Sequence, residues 1–439
     1  VSRLQTESVV APEASSERAF ADVVRLAGDI GERLAGTAGE QAGIAYLAEQ
    51  FRTAGLEPHI ETIPVPIWAE QRVVLQVEGR DIPAISPCFG GITHPAGITA
   101  EVVAVGDPMT TADVAAVDLA GKIALVDGRD VQVDYPDYIQ TDLLLANDVA
   151  GVIFAAGERQ RGGLPQAYYN FKRTLHQPTP PSVIVSAEDA RWLAAHSGTT
   201  RIAVEADVRW STSANVWAEL PGSDFGREVI VVSAHHDAVR GSPGASDNAG
   251  GCAIVSELAR SFGGAFRPRR TIRFVHFGAH EVGLFGSETW LRQYLPDVGR
   301  IAAVINFDGH GLIGGKDTAS VLGGPGWVEM TSEVLGRTML PLAMRFEAAG
   351  GVGVDSVNFA ALGRNAINFG NGGAPRAHTP ADNLGPLGPS GLEPALHMGA
   401  ALLAAAANRD DVDLFAPPPL DQVRETQAYC ARWGWGITG

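Results

Sequence analysis

A three-layer α/β fold, with a mixed, mainly parallel central sheet and an inserted β-rich unit, is the architecture this sequence predicts. Three observations predict it. The run Val229–Ala234 in REVIVVSAHHD is apolar but for Ser233 and rich in β-branched residues, as in a strand covered on both faces, and TIRFVHFGAHE and IAAVINFDGH are further strands that likewise end in titratable residues. Segments with helical spacing alternate with these strands. Between residues 71 and 208 the character changes to short strands and turns. The expected division is an α/β unit over 1–70 and 209–410, the insertion over 71–208, and a linker with a tail helix over 411–439.

Composition narrows the function classes. A chain of 439 residues, 45% hydrophobic and 19% charged, can bury a large core. A formal charge of -17, with no stripe of basic residues, argues against nucleic acid and against an anionic membrane surface. Cys88, Cys252 and Cys430 are odd in number and far apart, which suggests neither a disulfide framework nor a thiolate metal site. No apolar run approaches the roughly 18 residues of a membrane span, and the first residues lack the pattern of a secretion signal. The cytoplasm is therefore the default location.

In chain order, Ala19, Val23, Leu26 and Ile30, then Ala42, Ala45, Leu47 and Phe51, fall at helical spacing on either side of the loop GERLAGTAGE. A strand follows in LEPHIETIPVPIW. The insertion then reads as RVVLQVEG, ITAEVVAVG, GKIALVDG, a helix before AGVIFAAG, PSVIVSAEDARWLAAH and RIAVEADVRW. After strand Val229–Ala234, residues 249–262 read as a helix with small residues in its first turn. Another helix surrounds Ser287–Tyr294, and a short strand covers Asn365–Phe369. Helices over Leu392–Ala407 and Leu420–Trp433 close the chain.

Titratable residues gather at the ends of these strands: His235, Asp237, Asp247, His280, Glu281, Asp308, His310 and His378. That is where open α/β sheets place their sites. Imidazoles and carboxylates without thiolates suit zinc, or manganese or cobalt in its place, and a carboxylate such as Asp247 shared between two ions makes a two-metal centre.

The motifs VVSAHHD, PGASDNAGG, FGAHEVGLFGS, INFDGHG and AHTPADN resemble, in order, those of the aminopeptidase-type zinc metallopeptidases, the family of bacterial leucyl aminopeptidases and glutamate carboxypeptidase. The run from ITAEVVAVG to PSVIVSAEDARWL resembles a protease-associated domain, a known insertion in that family. The resemblance implies two divalent metal ions. Asp247 would bridge them, His235 and Asp308 would complete one site, and Glu281 and His378 the other. Asp237 would hold the His235 tautomer. A fold of this kind is often dimeric, which allows a homodimer.

Two positions depart from the family. Its usual motif has two adjacent glutamates before Gly-Leu, the first being the general base, and His280 stands there. Many members carry a Tyr before the last His, and Ala377 stands there. A neutral imidazole, with an unperturbed pKa of ~6.5, can serve as the base. The expected function is therefore metal-dependent hydrolysis of a peptide or peptide-like amide bond, with His280 moving the proton. Two alternatives stand: hydrolysis of a small non-peptide C–N bond, and a binding protein on an inactive peptidase fold.

Substrate clues are fewer. Arg376 can equally take a substrate carboxylate or pair with an acid at the surface, and His310 is a further candidate contact. Gly350–Gly353 with Asp355 and Ser356 resembles a family loop near the specificity pocket, in which a His often takes the Ser356 position. Trp68, Tyr168, Tyr169, Phe171, Lys172 and Arg173 are candidates to line a cleft beneath the insertion, although aromatics in a small β unit are more often core.

Overall fold

The computed structural model describes residues 10–107, 110–115, 117–126, 138–157, 162–169, 171–196, 198–346, 354–372 and 376–436. Its strands are β1 (His59–Val77), β2 (Arg80–Asp81), β3 (Ile98–Gly106), β4 (Ile123–Val126), β5 (Gly151–Ala155), β6 (Ser182–Val185), β7 (Thr199–Leu220), β8 (Phe225–His235), β9 (Arg270–Phe277), β10 (Ile301–Phe307), β11 (Thr318–Leu322), β12 (Ala343–Phe346) and β13 (Asn365–Gly370). They hydrogen-bond in the order β12-β11-β13-β10-β8-β9-β7-β3-β4-β5-β6, with β1 paired to β7 and to the short β2.

Strand β8 lies between β9 and β10 and runs parallel to both, and β10 runs parallel to β13. Every residue of β10 is buried, as are the seven residues of β8 from Val229 to His235. The chain passes from β8 to β9 on one side and then crosses to β10 on the other. Strand order therefore reverses at β8, and a crevice opens beyond its carboxyl end.

Helices cover both faces. Ser16–Val23, Ala38–Thr53, Gly251–Gly263 and Pro389–Asn408 pack with Ile230, Val232, Ile305 and Phe369 into one apolar cluster. On the other face, Trp290 and Leu291 of helix Phe285–Gln293 and Phe359 of helix Ser356–Ala361 pack on Val231, Val275 and Val304. The small residues at the start of helix Gly251–Gly263 have a steric cause: a Cβ at Gly250 would lie 2.3 Å from the His310 carbonyl oxygen, and one at Gly251 2.4 Å from that of Phe307. Only glycine lets the helix start so close to the strand ends.

The divisions expected at 70/71 and 208/209 fall inside β1 and β7. These two long strands form one antiparallel ribbon from His59↔Trp217 to Val77↔Thr200, with a register shift between Glu70 and Arg72. Between them the chain builds the parallel set β3-β4-β5-β6. Leu125, Ile153 and Val183 of that set share an apolar cluster with Ala279, Val282 and Phe285, which flank the His280–Glu281 loop. Among the described residues, no helix is long and apolar enough to cross a membrane.

Glu40, in the first turn of helix Ala38–Thr53, is buried where that helix meets β7. It accepts hydrogen bonds from the Gly36 amide (2.7 Å) and the Ser213 hydroxyl (2.5 Å). Burial, with the nearby Asp237 carboxylate adding to it, pushes its pKa up to about 8. The folded chain then binds a proton that the unfolded chain has released. The stabilisation is complete below the ordinary glutamate pKa and is lost as pH rises through about 8. Glu40→Gln should therefore gain stability relative to the parent as pH rises from 5 to 9, on the order of 4 kcal/mol. Denaturant melts of both chains at the two pH values check this, and a pH-independent difference would refute it.

Candidate metal centre

The rim beyond β8, β9 and β10 collects the acids and imidazoles. His235 ends β8, His280 and Glu281 follow β9, and Asp308 follows β10. Asp247 lies on the turn before helix Gly251–Gly263, and His378 on the loop after β13. His235 Nε2 lies 3.1 Å from Asp247 Oδ1 and 3.5 Å from Asp308 Oδ1. His378 Nε2 lies 3.4 Å from Asp247 Oδ2 and 3.2 Å from Glu281 Oε2. Asp247 thus turns one oxygen to each imidazole, so the five side chains form two groups that share one carboxylate.

This donor set fits divalent cations. His235, Asp247 and Glu281 offer atoms that all lie within 4.8 Å of one another, as do His235, His280 and Asp308. Burial penalises a charged His235, yet the Asp308, Asp237 and Asp247 carboxylates outweigh it and raise its pKa well above the usual range. Burial likewise opposes charge on Asp247, and the hydrogen bonds from His235 and His378 hold its pKa well below the usual range. A cluster that draws protons so strongly is one in which cations can replace them.

Surrounding groups fix the donors. Asp237 accepts the His280 amide (3.0 Å) and the Glu281 amide (3.1 Å), so its carboxylate holds the loop that carries Glu281. It also lies 3.6 Å from His235 Nδ1, while its own backbone carbonyl is closer to that nitrogen, at 3.2 Å. Asp382 accepts the amides of Ser246 (2.8 Å) and Asp247 (3.0 Å) and the Ser246 hydroxyl (2.7 Å). The guanidinium of Arg33 is fully buried and donates to the carbonyls of Leu26, Gly31, His236, Pro243 and Gly244. It thereby ties down the connection between His235 and Asp247.

His280 stacks on His235, with ring centroids 3.8 Å apart and planes 9° from parallel. Its Nδ1 lies 3.0 Å from Asp355 Oδ2, and Asp355 is fully buried. Burial and the neighbouring His235 oppose protonation, but the Asp355 and Asp308 carboxylates prevail and push the His280 pKa up to about 9.

The remaining candidates separate. His310 does not join the cluster, contrary to its expected substrate contact. It is fully buried, its Nε2 bonds to the Phe369 carbonyl at 3.0 Å, and burial pushes its pKa down to about 4. Ser356 is buried at the start of helix Ser356–Ala361, and Arg376 is exposed. Trp68, Tyr168, Tyr169 and Phe171 are core residues, which removes them as a cleft lining. The Lys172 ammonium pairs with Glu288 and lies over the Phe285 ring. Gly350–Gly353 and the Arg173 side chain lie outside the described residues. Asp355, Asp382 and Arg33 were not assigned roles from sequence. Asp382 had a signal, its place in the motif AHTPADN, whereas Arg33 had none beyond a loop position.

The family model for Peptidase family M28 matches residues 215–402. Aminopeptidase YwaD of Bacillus subtilis is 26% identical over 302 residues, which cover 67% of this chain and 61% of that protein. Human carboxypeptidase Q is 26% identical over 319 residues, covering 67% of this chain and 65% of that protein. The chain thus spans less than two thirds of the length of these curated relatives. The solved structure of BSAP, a zinc aminopeptidase from Bacillus subtilis, superposes with a TM-score of 0.75 at 23% identity, covering 93% of this chain and 99% of that one. That likeness establishes the fold. The unit that carries His235, Asp247, Glu281, Asp308 and His378 is thus the part of this chain that is similar to peptidase family M28.

Proposed function

We propose that the protein is a zinc-dependent hydrolase of the aminopeptidase type, which cleaves a peptide or peptide-like amide bond and uses His280 as its proton carrier. The observation that carries this reading is the two-sided Asp247 carboxylate, with one oxygen toward the His235 group and the other toward the His378 group. Two zinc ions held there by His235, Asp308, Asp247, Glu281 and His378 would lower the pKa of a water and polarise the scissile carbonyl. His280 takes the proton from the attacking water and delivers it to the leaving nitrogen as the C–N bond breaks. Asp355 binds the Nδ1–H, which leaves Nε2 as the working atom. The raised His280 pKa belongs to the cation-free cluster. Cations among the same carboxylates oppose it and favour the neutral ring.

A second reading, hydrolysis of a small non-peptide C–N bond, is favoured by the His280–Asp355 pair. It puts an imidazole where the family resemblance implies a glutamate, and so suits a different leaving group. Metal analysis and a substrate panel test both. The purified chain should carry about two zinc ions and hydrolyse aminoacyl anilides, with activity lost on chelation. Zinc with activity only on N-acyl amides would select the second reading. Metal content near zero would remove both and leave a binding protein on an inactive fold.

A further inference from the structure

We propose that the segment Gly162–Tyr169, which comes from the stretch between β5 and β6, is a working part of the metal centre, with Gln166 as a positioning residue for His378. The proposal rests on the metal-centre reading above. Two reciprocal hydrogen bonds join the two residues: the Gln166 amide donates to the His378 carbonyl at 2.8 Å, and His378 Nδ1 lies 3.1 Å from the Gln166 carbonyl oxygen. A carbonyl can only accept. The proton therefore sits on Nδ1, and the Nε2 lone pair faces Asp247 Oδ2 and Glu281 Oε2.

The backbone of His378 makes this clamp necessary. Its φ is 59°, the left-handed region, which is strained for a residue with a Cβ and persists only where surrounding contacts enforce it. Gln166 bonds both the peptide carbonyl and the ring of this one residue. The same segment packs closely on the residues that follow, since a Cβ at Gly162 would lie 2.0 Å from that of Ala381.

Gln166 is itself anchored from several sides. Its Nε2 donates to the carbonyls of Ser86 (3.0 Å) and Ala167 (3.1 Å). Its Oε1 accepts from Arg240 Nη2 (3.0 Å) and Nε (3.3 Å), and Arg240 pairs with Glu70 at 2.9 Å. Arg240 stands on the connection from His235 to Asp247, so one glutamine links both halves of the centre. The stretch between β1 and β7 thereby supplies a partner that orients a metal ligand, in addition to whatever it does to substrate access.

The test is zinc binding by the full chain, independent of turnover. Zinc is stripped and titrated back by equilibrium dialysis into the parent, Gln166→Ala, Gln166→Pro and His378→Ala. Gln166→Pro deletes the donor to the His378 carbonyl, and Gln166→Ala removes only the side-chain anchor and keeps the backbone. In both Gln166 variants one zinc ion should bind about 10–100-fold more weakly, and it should be the ion missing from His378→Ala. Cobalt substitution identifies that ion by its visible absorption. Two ions held as tightly as in the parent would overturn the proposal, as would both ions weakening together, which would mark Gln166 as a general fold contact. A parent chain that binds no zinc fails at an earlier and separate point, the metal centre itself.

Discussion

Asp247→Asn is expected to reduce bound zinc from about two ions per chain to one or fewer, and to lower kcat/KM by about 10³-fold or more. The two oxygens of Asp247 face different imidazoles, His235 at 3.1 Å and His378 at 3.4 Å. Asparagine keeps the shape, loses the charge and turns an N–H toward one of the two groups. An amide N–H cannot ligate a cation. The fold should survive, because Asp382 grips this position through its backbone amide, and Arg33 holds the preceding turn through carbonyls. Metal analysis of the folded variant, beside turnover on a substrate from the panel, checks this. Two zinc ions retained with parental turnover would show that Asp247 is not shared.

What could be read from the sequence follows from how each feature is encoded. Strands β8, β9 and β10 are buried on both faces, so each shows as a mainly apolar, β-branched stretch with few polar residues, and the titratable residues just beyond it are the ones at the rim. His235, Glu281, Asp308 and His378 each sit in a short motif, so they were visible. Strands β11 and β12 were not, since the first has five residues, the second four, and β12 is largely exposed. Helix Pro325–Arg337 carries a legible signal, Pro at its start with Trp327, Met330 and Leu335 buried, but it borders no motif and drew no expectation. The division expected near residue 70 follows the change there to short strands and turns, while pairing with β7 carries β1 through it with a register shift between Glu70 and Arg72.

The supporting contacts were illegible for a different reason. His280 meets Asp355 across 75 positions, Arg33 meets His236 across 203, and Gln166 meets His378 across 212. No local spacing encodes such pairs. The sheet brings them together: β8 and β9 place the first residues of the centre, and the ribbon of β1 and β7 carries the stretch between them back over the loop after β13. The proposed ligands are thus written in motifs, and the residues that orient them are written in the topology.

Replacing His280 by Ala should lower kcat by about 10²-fold or more while both zinc ions remain bound. His280 is stacked on His235 without being needed to hold it, because His235 is already met by Asp247, Asp308 and the Asp237 carbonyl. On the proposed reading, removing the ring therefore removes the proton carrier and leaves the proposed ligands in place. Asp355→Asn should act in the same direction and more weakly, on the order of 10-fold, through the tautomer: an amide offers Nδ1 either a donor or an acceptor, so the ring is no longer held with its proton on that nitrogen. Because both changes act on proton transfer, the loss should fall on kcat with KM little altered. Steady-state kinetics with metal analysis on the same samples decides the matter. If His280→Ala turns over like the parent, another group carries the proton. If it loses zinc in step with activity, the ring is a ligand and the general base lies elsewhere.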